Sequence, residues 1–382
     1  MSTRISADQG FENYRDKPRF GALDGVRFFA IVAVLFHHSP LVGIGADISP
    51  LSRRGFLGVD LFFVISGFLI TSLLLRERHR KGRISLRGFY WRRALRILPL
   101  YLLLVTAIGA YYTFIKQQPG ATGTWPFYYL LMMNFISSHL PMLAPTWSLG
   151  VEEQYYLIWP LLLVLLPRKA LLTLIVGLVL AYAVLLSLPI GQAQWDIGPL
   201  SFSLVKAFYP AMLLGSGLAI LLNSREGFTL LWGILGQRWS AALFVLFLLA
   251  ALQFLPLDLH GFPNLVLHLI MAGLIGSLVI REDTLLMPVM SFAPIRRIGV
   301  VSYGIYLLHL IALHIATSIT ARLFGAPENQ MPLFLLLYVG LSWLMAEISF
   351  RFYETPFLSL RHKPLGVVAR DPVEPSREKM PS

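Results

Sequence analysis

Residues 76–96 read RERHRKGRISLRGFYWRRALR, with nine arginines and lysines against a single glutamate and apolar runs over 56–75 and 95–115 on either side. Each run is near the ~20 residues that a helix needs to cross the hydrocarbon. A loop this basic between two such helices marks the cytoplasmic side of a bilayer. Open sheets leave backbone groups unpaired in lipid, so helices are the structure expected.

The same composition extends along the chain. Its 382 residues are 56% hydrophobic and 14% charged, with a mean hydropathy of +0.67, which speaks for a polytopic membrane protein and against two or three soluble domains. Further apolar runs lie at 170–190, 204–222, 239–256, 263–280, 299–321 and 332–350. With the loop 76–96 inside, the first helix begins inside, and Arg4, Arg15, Lys17 and Arg19 agree. Counting back from the basic, proline-rich C-terminus puts Arg168, Lys169, Arg225, Arg238, Arg281, Arg296 and Arg297 inside, and Asp196, Asp258 and Glu328 outside.

The two counts meet only if 126–138, PFYYLLMMNFISS, does not cross and instead forms a short re-entrant or interfacial helix between Pro126 and Pro141. The expected fold is therefore an all-α polytopic bundle of about ten transmembrane helices, both termini cytoplasmic. A cytoplasmic segment 1–20 precedes a membrane domain 21–360, and 361–382 reads as a disordered basic tail. The first twenty residues lack a signal-peptide core and cleavage site, so the first helix is expected to be retained. No internal repeat is evident, and the repeat signature of many transporters is missing. The net charge of +12 is explained by basic cytoplasmic loops, so no nucleic-acid partner is expected. The absence of cysteine excludes disulfides, thiolate metal sites and an acyl-cysteine intermediate, and no metal is expected.

Against this apolar background the ionisable residues stand out. In RFFAIVAVLFHH, residues 27–38, Arg27 and His38 are eleven positions apart, close to three helical turns, so they share a face about 16 Å apart along the axis. This places Arg27 at the cytoplasmic mouth and His38 near mid-membrane; His37, turned about 100° away, suits a structural role. Ionisable groups at such depth face a protein interior or a wet cavity, and neutral histidine is suited to taking a proton from a hydroxyl near pH 7. End anchoring of Arg27 and a helix–helix hydrogen bond from His38 are the plainer readings. Arg92, Arg93 and Arg96 fall on one helical flank able to grip phosphates, although positive-inside bias alone produces such clusters. A ligand with an anionic head at the cytoplasmic surface and a reactive end reaching inward has the shape of a coenzyme A thioester.

A third segment is TWSLGVEEQYYLIWP, residues 146–160. Of Glu152 and Glu153 at least one is expected to face a cavity, since lipid exposure is costly. Trp147, Tyr155, Tyr156 and Trp159 are interfacial belt residues or sugar-stacking rings, with the belt preferred for Trp159. Asp60 in GVDLFFVISGFLI, with Gly58 and Gly67 allowing close helix approach, His309 in SYGIYLLH and Glu354 in FYETP complete the candidates. For these three, substrate contact and plain packing, hydrogen bonding or end charge stay open.

Together, LDGVRFFAIVAVLFHH, GVDLFFVISGFLI, RRALRILPLY, TWSLGVEEQYYLIWP, SYGIYLLH and FYETP occur in the order found in the acyltransferase-3 family, which the chain resembles through most of residues 20–360. That family contains O-antigen and other surface-glycan O-acetyltransferases and macrolide acyltransferases. The resemblance implies transfer of an acyl group, commonly acetyl, from cytoplasmic acyl-CoA to an acceptor hydroxyl. It matches the family's Arg-x10-His pair to Arg27 and His38, its Arg-x-x-Arg pair to Arg93 and Arg96, its WSL-x-VEEQ segment to Trp147 and the Glu152–Glu153 pair, and its late carboxylate to Glu354. Phe28 and Phe29 stand where small residues are common, and Gly150 where serine is frequent. On 382 residues the extracytoplasmic hydrolase-like domain of some members is not expected, so acceptor binding is expected within the membrane domain or its loops.

The expected activity is an acyl-CoA-dependent O-acyltransferase of the bacterial inner membrane, with no tightly bound cofactor. His38 is expected as the general base, with Arg27, Glu152 and Glu153 as the other catalytic candidates, and Arg92, Arg93 and Arg96, together with Arg27, are expected to hold the donor. Trp147, Tyr156, Asp60, His309 and Glu354 are substrate-binding candidates, the acceptor being a glycan or, alternatively, a macrolide-like metabolite. The competing function is a transporter or flippase of an acylated or anionic molecule, with the same charges lining a path.

Overall fold

A computed structural model describes residues 6–17, 19–41, 53–137, 139–256, 259–325 and 327–362. The chain is nearly all helical. Its principal helices are α1 (Ala7–Asp16), α2 (Ala22–His37), α3 (Leu57–Lys81), α4 (Leu86–Ala110), α5 (Ala121–Tyr129), α6 (Trp147–Leu165), α7 (Arg168–Leu186), α8 (Pro210–Leu222), α9 (Arg225–Leu235), α10 (Ser240–Phe254), α11 (Phe262–Ile280), α12 (Ala293–Val300), α13 (Ser302–Phe324) and α14 (Met331–Ile348). Two π-helical turns, Tyr111–Ile115 and Ser349–Glu354, extend α4 and α14.

Among the described residues six helices are long and apolar enough to cross a membrane, or seven if α8 and α9, bent by 112° at their junction, count as one span. The six are α3, α4, α7, α11, α13 and α14, with α4 and α14 counted together with their continuations. The other helices of the expected ten fall short on length or composition. α2 has 16 residues and α10 has 15, while α6 carries Glu152, Glu153 and Gln154.

At the centre, α3 packs most extensively on α8. A Cβ added at Gly67 would lie 2.0 Å from the Met212 carbonyl oxygen, and one at Gly215 would lie 2.1 Å from that of Val64. Only glycine permits so close an approach of the two backbones. Polar side chains seal the same seam: Thr71 donates to Ser216 Oγ at 2.8 Å, Trp159 Nε1 to Thr71 Oγ1 at 2.7 Å, and the Tyr155 hydroxyl lies 2.6 Å from Ser216 Oγ. Trp159, expected in an interfacial belt, is instead buried at 1% exposure, because α6 belongs to the centre of the bundle and the indole N–H finds its acceptor there.

The pairing of α2 with α3 sets the depth of the first motif. Gly58 abuts the Ala30 carbonyl oxygen and Gly55 that of Ala33, so the helices are antiparallel and the expected close approach at Gly58 is seen. Arg27, three residues before Ala30, is then level with residues 61–62 of α3. The chain entering α2 is anchored by Phe20 against Phe68, with ring centroids 5.2 Å apart, and by Arg76 donating to the carbonyl oxygens of Lys17 and Tyr14 at 2.6 and 3.0 Å. Arg27 therefore lies inside the bundle and not at its basic mouth, and His38 lies at the opposite end and not at mid-depth.

The segment 126–138 also differs from expectation. Its helix begins earlier, at Ala121, includes Pro126 and ends at Tyr129, followed by a 3-10 turn at Met133–Phe135. The Tyr101 hydroxyl donates to the Tyr128 carbonyl oxygen at 2.7 Å and fixes that end. A two-stranded antiparallel hairpin, β1 (Gln194–Ile197) and β2 (Leu200–Ser203), was not anticipated. Its two-residue turn starts at Gly198 with φ 57°, the left-handed conformation that favours glycine. Within 1–20, α1 lays Phe11 on Phe228 and Gly10 on Trp232 of α9. The tail expected from 361 lies outside the described residues beyond 362.

Candidate functional site

A cavity of about 610 Å³ runs along α3. Val59, Phe62, Phe63, Ser66, Leu69, Ile70, Leu73, Leu74, Glu77, Arg80 and Lys81 line it, spacings of three and four that trace one unbroken helical face. From Val59 to Lys81 that face is roughly 33 Å long, comparable to the ~30 Å of hydrocarbon. So modest a volume over such a length describes a narrow passage.

The chemistry of the walls is ordered along this axis. At the basic end stand Arg80, Lys81, Arg92 and Arg361 with Glu77. Glu77, buried at 7%, accepts from Lys81 Nζ and Arg92 Nη2, each at 3.3 Å. An apolar stretch of Leu69, Ile70, Leu73, Leu74 and Phe89 follows. Deeper lies Glu152, which accepts from the hydroxyls of Ser66 and Tyr156, with Arg93 Nη2 at 3.9 Å. The Arg93 guanidinium sits 3.9 Å above the Tyr156 ring, a cation–π contact.

Arg27 and Arg96 line the same depth. Arg27 Nη1 donates to Asp24 Oδ1 at 2.6 Å. Arg96 is solvent-accessible within the cavity; among the described residues it makes no hydrogen bond or salt bridge, and the Glu354 carboxylate attracts it from beyond contact distance. A cation in a cavity with no hydrogen-bonded partner is a binding group for an anion.

At the far end the wall is Val59, Phe62, Phe63, Ser148 and Tyr306. The Tyr306 hydroxyl donates to the Pro145 carbonyl oxygen at 2.8 Å and lies 2.7 Å from Ser148 Oγ. Behind Tyr306 comes His309, ring centroids 5.9 Å apart, and then His38, 4.8 Å from His309. His38 is half-buried and is not among the residues that line the cavity; it adjoins the end wall through its contact with His309. Its Nδ1 is 2.9 Å from the Val34 carbonyl oxygen. A carbonyl only accepts, so Nδ1 carries the proton and Nε2 is the basic atom.

Of the sequence candidates, Arg27, Arg92, Arg93, Arg96, Glu152 and Tyr156 meet in the cavity. Glu152 is the member of the acidic pair that lines it. Glu153 Oε1 is buried without a hydrogen-bond partner among the described residues. Glu354, buried at 7%, accepts from Ser349 Oγ at 3.0 Å in the π-helical turn. Asp60 lies 3.5 Å from His268 Nε2 of α11, and Trp147 packs on Tyr209 and Phe63, centroids 5.4 and 6.2 Å away, outside the cavity. His37 packs on Phe56. Ser66, Glu77, Ser148, Tyr303 and Tyr306 escaped the sequence reading, although Tyr303, Tyr306 and His309 recur every third residue on one helix.

The departures from the family pattern fit locally. A Cβ at Gly150 would approach Met133 Sδ to 2.7 Å and the Leu131 carbonyl oxygen to 2.9 Å, leaving no room for serine. Phe29 is 42% exposed and points out of the bundle.

No solved structure matches the chain significantly. Among curated proteins, the peptidoglycan O-acetyltransferase OatA of Listeria monocytogenes serovar 1/2a is 28% identical over 365 residues, covering 88% of this chain and 55% of that protein. The O-acetyltransferase OatA of Staphylococcus aureus strain NCTC 8325 is 28% identical, covering 89% and 57%. A putative O-acetyltransferase of Staphylococcus aureus strain COL is 27% identical, covering 92% and 59%. The chain therefore spans little more than half the length of the curated relatives it matches. The profile of the acyltransferase domain Acyl_transf_3 matches residues 20–347, and the chain belongs to that family of membrane acyltransferases.

Proposed function

We propose that this chain is an acyl-CoA-dependent O-acyltransferase of the bacterial inner membrane that acylates, most simply acetylates, a hydroxyl of an envelope glycan. The observation that carries this reading is the order of groups along the cavity: cations at one end, a narrow apolar neck, guanidiniums at depth, and two imidazoles beyond the end wall. The phosphates of coenzyme A fit Arg80, Lys81 and Arg92 at the mouth and Arg93, Arg96 and Arg27 deeper in. The pantetheine arm then points along Phe62 and Tyr306. In this reading the bundle crosses about ten times, with both termini and the loop 76–96 cytoplasmic.

His38 Nε2 takes the proton of the acceptor hydroxyl as its oxygen attacks the thioester carbonyl. The new C–O bond forms, the C–S bond breaks, and the imidazolium returns the proton to the leaving thiolate, giving CoA–SH and neutral His38. Displacement of the Tyr306 side chain from Ser148 and Pro145 joins the donor passage to His38. The names of the relatives, which include peptidoglycan O-acetyltransferases, favour a glycan over a macrolide-like acceptor.

The test uses membrane vesicles of the producing cell, which carry the native acceptor, given labelled acetyl-CoA on the cytoplasmic face. The wild type releases CoA and transfers label, and His38→Ala inserts normally but does neither. Normal turnover by His38→Ala refutes the assignment of the base. Uptake of label with no covalent change refutes acyl transfer in favour of transport.

A further inference from the structure

The closed end of the cavity is carried largely by α3. Val59 and Phe62, three residues apart, form the last turn of the helical face that lines it, with Phe63, Ser148 and Tyr306 around them. Val59, Phe63, Ser148 and Tyr306 are buried. The Phe62 ring meets the Tyr306 ring edge to face, centroids 6.4 Å apart and planes at 66°, so two aromatic side chains cross the end of the passage. Phe63 is wedged beside them, 5.1 Å from the Tyr209 ring and 6.2 Å from that of Trp147. The wall has no slack along the helix axis either. On the two sides of segment 59–66 stand Gly58 and Gly67, where an added Cβ would lie 2.3 Å from the Ala30 carbonyl oxygen and 2.0 Å from that of Met212. A wall packed this closely gives little room to an extra methylene.

We propose that Phe62 sets the length of the acyl group this enzyme transfers: its ring stops the acyl end of the donor, so that acetyl-CoA fits and each further methylene meets a rigid surface. The inference rests on the proposed function, with the donor's phosphates on the cations and its thioester at the Phe62–Tyr306 end. Movement of Tyr306 away from Ser148 and Pro145 alters only one half of the wall. Phe62 belongs to α3, whose register is locked at Gly58 and Gly67, and it stays in place while the base is admitted. It is therefore a specificity-determining residue, and the substrate class it selects is the short, unbranched acyl thioester.

The test follows acceptor-dependent CoA release from acetyl-, propionyl- and butyryl-CoA in native membrane vesicles of cells producing each variant in place of the wild type. One misfitted methylene in an apolar pocket changes kcat/KM about 10- to 200-fold, so the wild type should prefer acetyl-CoA to propionyl-CoA by about tenfold or more, and to butyryl-CoA by a larger factor. Phe62→Ala should raise the butyryl-to-acetyl ratio of kcat/KM by about tenfold or more, and Phe62→Leu, which removes less of the ring, by a smaller factor. Leu73→Ala widens the neck about three helical turns nearer the basic end and should leave that ratio at its wild-type value. Coenzyme A binding to each purified variant reports that it is folded. Equal use of acetyl- and butyryl-CoA by the wild type, an unchanged ratio in both Phe62 variants, or the same rise in Leu73→Ala overturns the proposal. Failure of the acyl-transfer reading looks different: the wild type then releases no acceptor-dependent CoA from any of the thioesters, and both readings fall together.

Discussion

Arg96→Met tests what the cavity is for, because loss of function and loss of stability should go in different directions. Three guanidiniums gather at depth. Arg27 is held by Asp24 at 2.6 Å, and Arg93 has Glu152 at 3.9 Å and the Tyr156 ring beneath it. Arg96 is accessible in the cavity, stacks on no ring and has no carboxylate within contact distance among the described residues, Glu354 attracting it only from farther off. A cation beside two like charges raises the free energy of the empty protein. Methionine keeps the apolar stem and removes the charge, so the melting temperature of the unliganded protein should hold or rise. A charge-assisted hydrogen bond to a phosphate contributes about 1.5–3 kcal/mol, so the Kd for coenzyme A should weaken about 10- to 150-fold. Arg27→Met is the contrast: it leaves Asp24 without its partner and should lower the melting temperature as well. Calorimetric titration of coenzyme A into the detergent-purified protein at two ionic strengths, with thermal unfolding alongside, reads both quantities. If Arg96→Met binds coenzyme A as tightly as wild type and melts earlier, Arg96 is a structural residue and the reasoning fails.

Two further outcomes follow from the packing and the loops. Gly215→Val places side-chain atoms against the Val64 carbonyl, only 2.1 Å from where the Cβ would sit, and should destabilise the bundle by about 3 kcal/mol; an unchanged unfolding midpoint in detergent would show that α3 and α8 can separate freely. In the loop after α11, the Arg281 guanidinium donating to both Asp283 oxygens at 2.6 and 2.8 Å holds the Asp283 carboxyl below its usual range, against a smaller opposing effect of burial. A depressed carboxyl contributes stability above its unfolded-state pKa of about 3.9 and loses it as pH falls through the lower folded value. The melting-temperature gap between wild type and Asp283→Asn should therefore close below about pH 4, and a constant gap down to pH 3 would contradict it.

The helical membrane class and most of the cavity cations were legible because both are local in sequence. Apolar length reveals spans, and spacings of three and four place Arg92, Arg93 and Arg96 together. Depth was not legible. The same-face alignment of Arg27 and His38 follows from their separation, but how far α2 is shifted along α3 depends on Phe20 meeting Phe68 and on Arg76 reaching the carbonyls of Lys17 and Tyr14. Those contacts join residues roughly fifty or more positions apart, and no periodicity encodes them. Trp159 failed for a related reason: an aromatic near a helix end reads as a belt residue unless the helix is known to be central. Ser148 and Tyr306 are ordinary membrane-helix residues until the end of the cavity meets them. Between Glu152 and Glu153 the sequence offered two adjacent carboxylates, and only the rotation of α6 against Ser66 distinguishes them.

That rotation is fixed by α3, which explains how a membrane bundle can hold a long flexible donor in register. One face of α3 lines the passage from Val59 to Lys81, while Gly67 and Thr71 on another face are clamped to α8 and α6. Interhelical hydrogen bonds in membranes average only about 0.6 kcal/mol, so the seam of Thr71, Ser216, Tyr155 and Trp159 matters less for total stability than for removing alternatives. A slip of one residue along α3 would turn the helix by about 100°. It would withdraw Ser66 from Glu152 and drive Gly67 away from Met212, the position where nothing larger than hydrogen fits. The contacts that exclude such a slip also hold Glu152, and through it Arg93 and Tyr156, at one depth. Arg27 and His38 stand at the two ends of one stretch of α2, so the spacing between that deep cation and His38 is set by the rise per residue of a helix and not by flexible loops. On the function proposed above, a donor whose phosphates engage those cations would bring its thioester to one fixed level, as attack by a hydroxyl beside a stationary base requires.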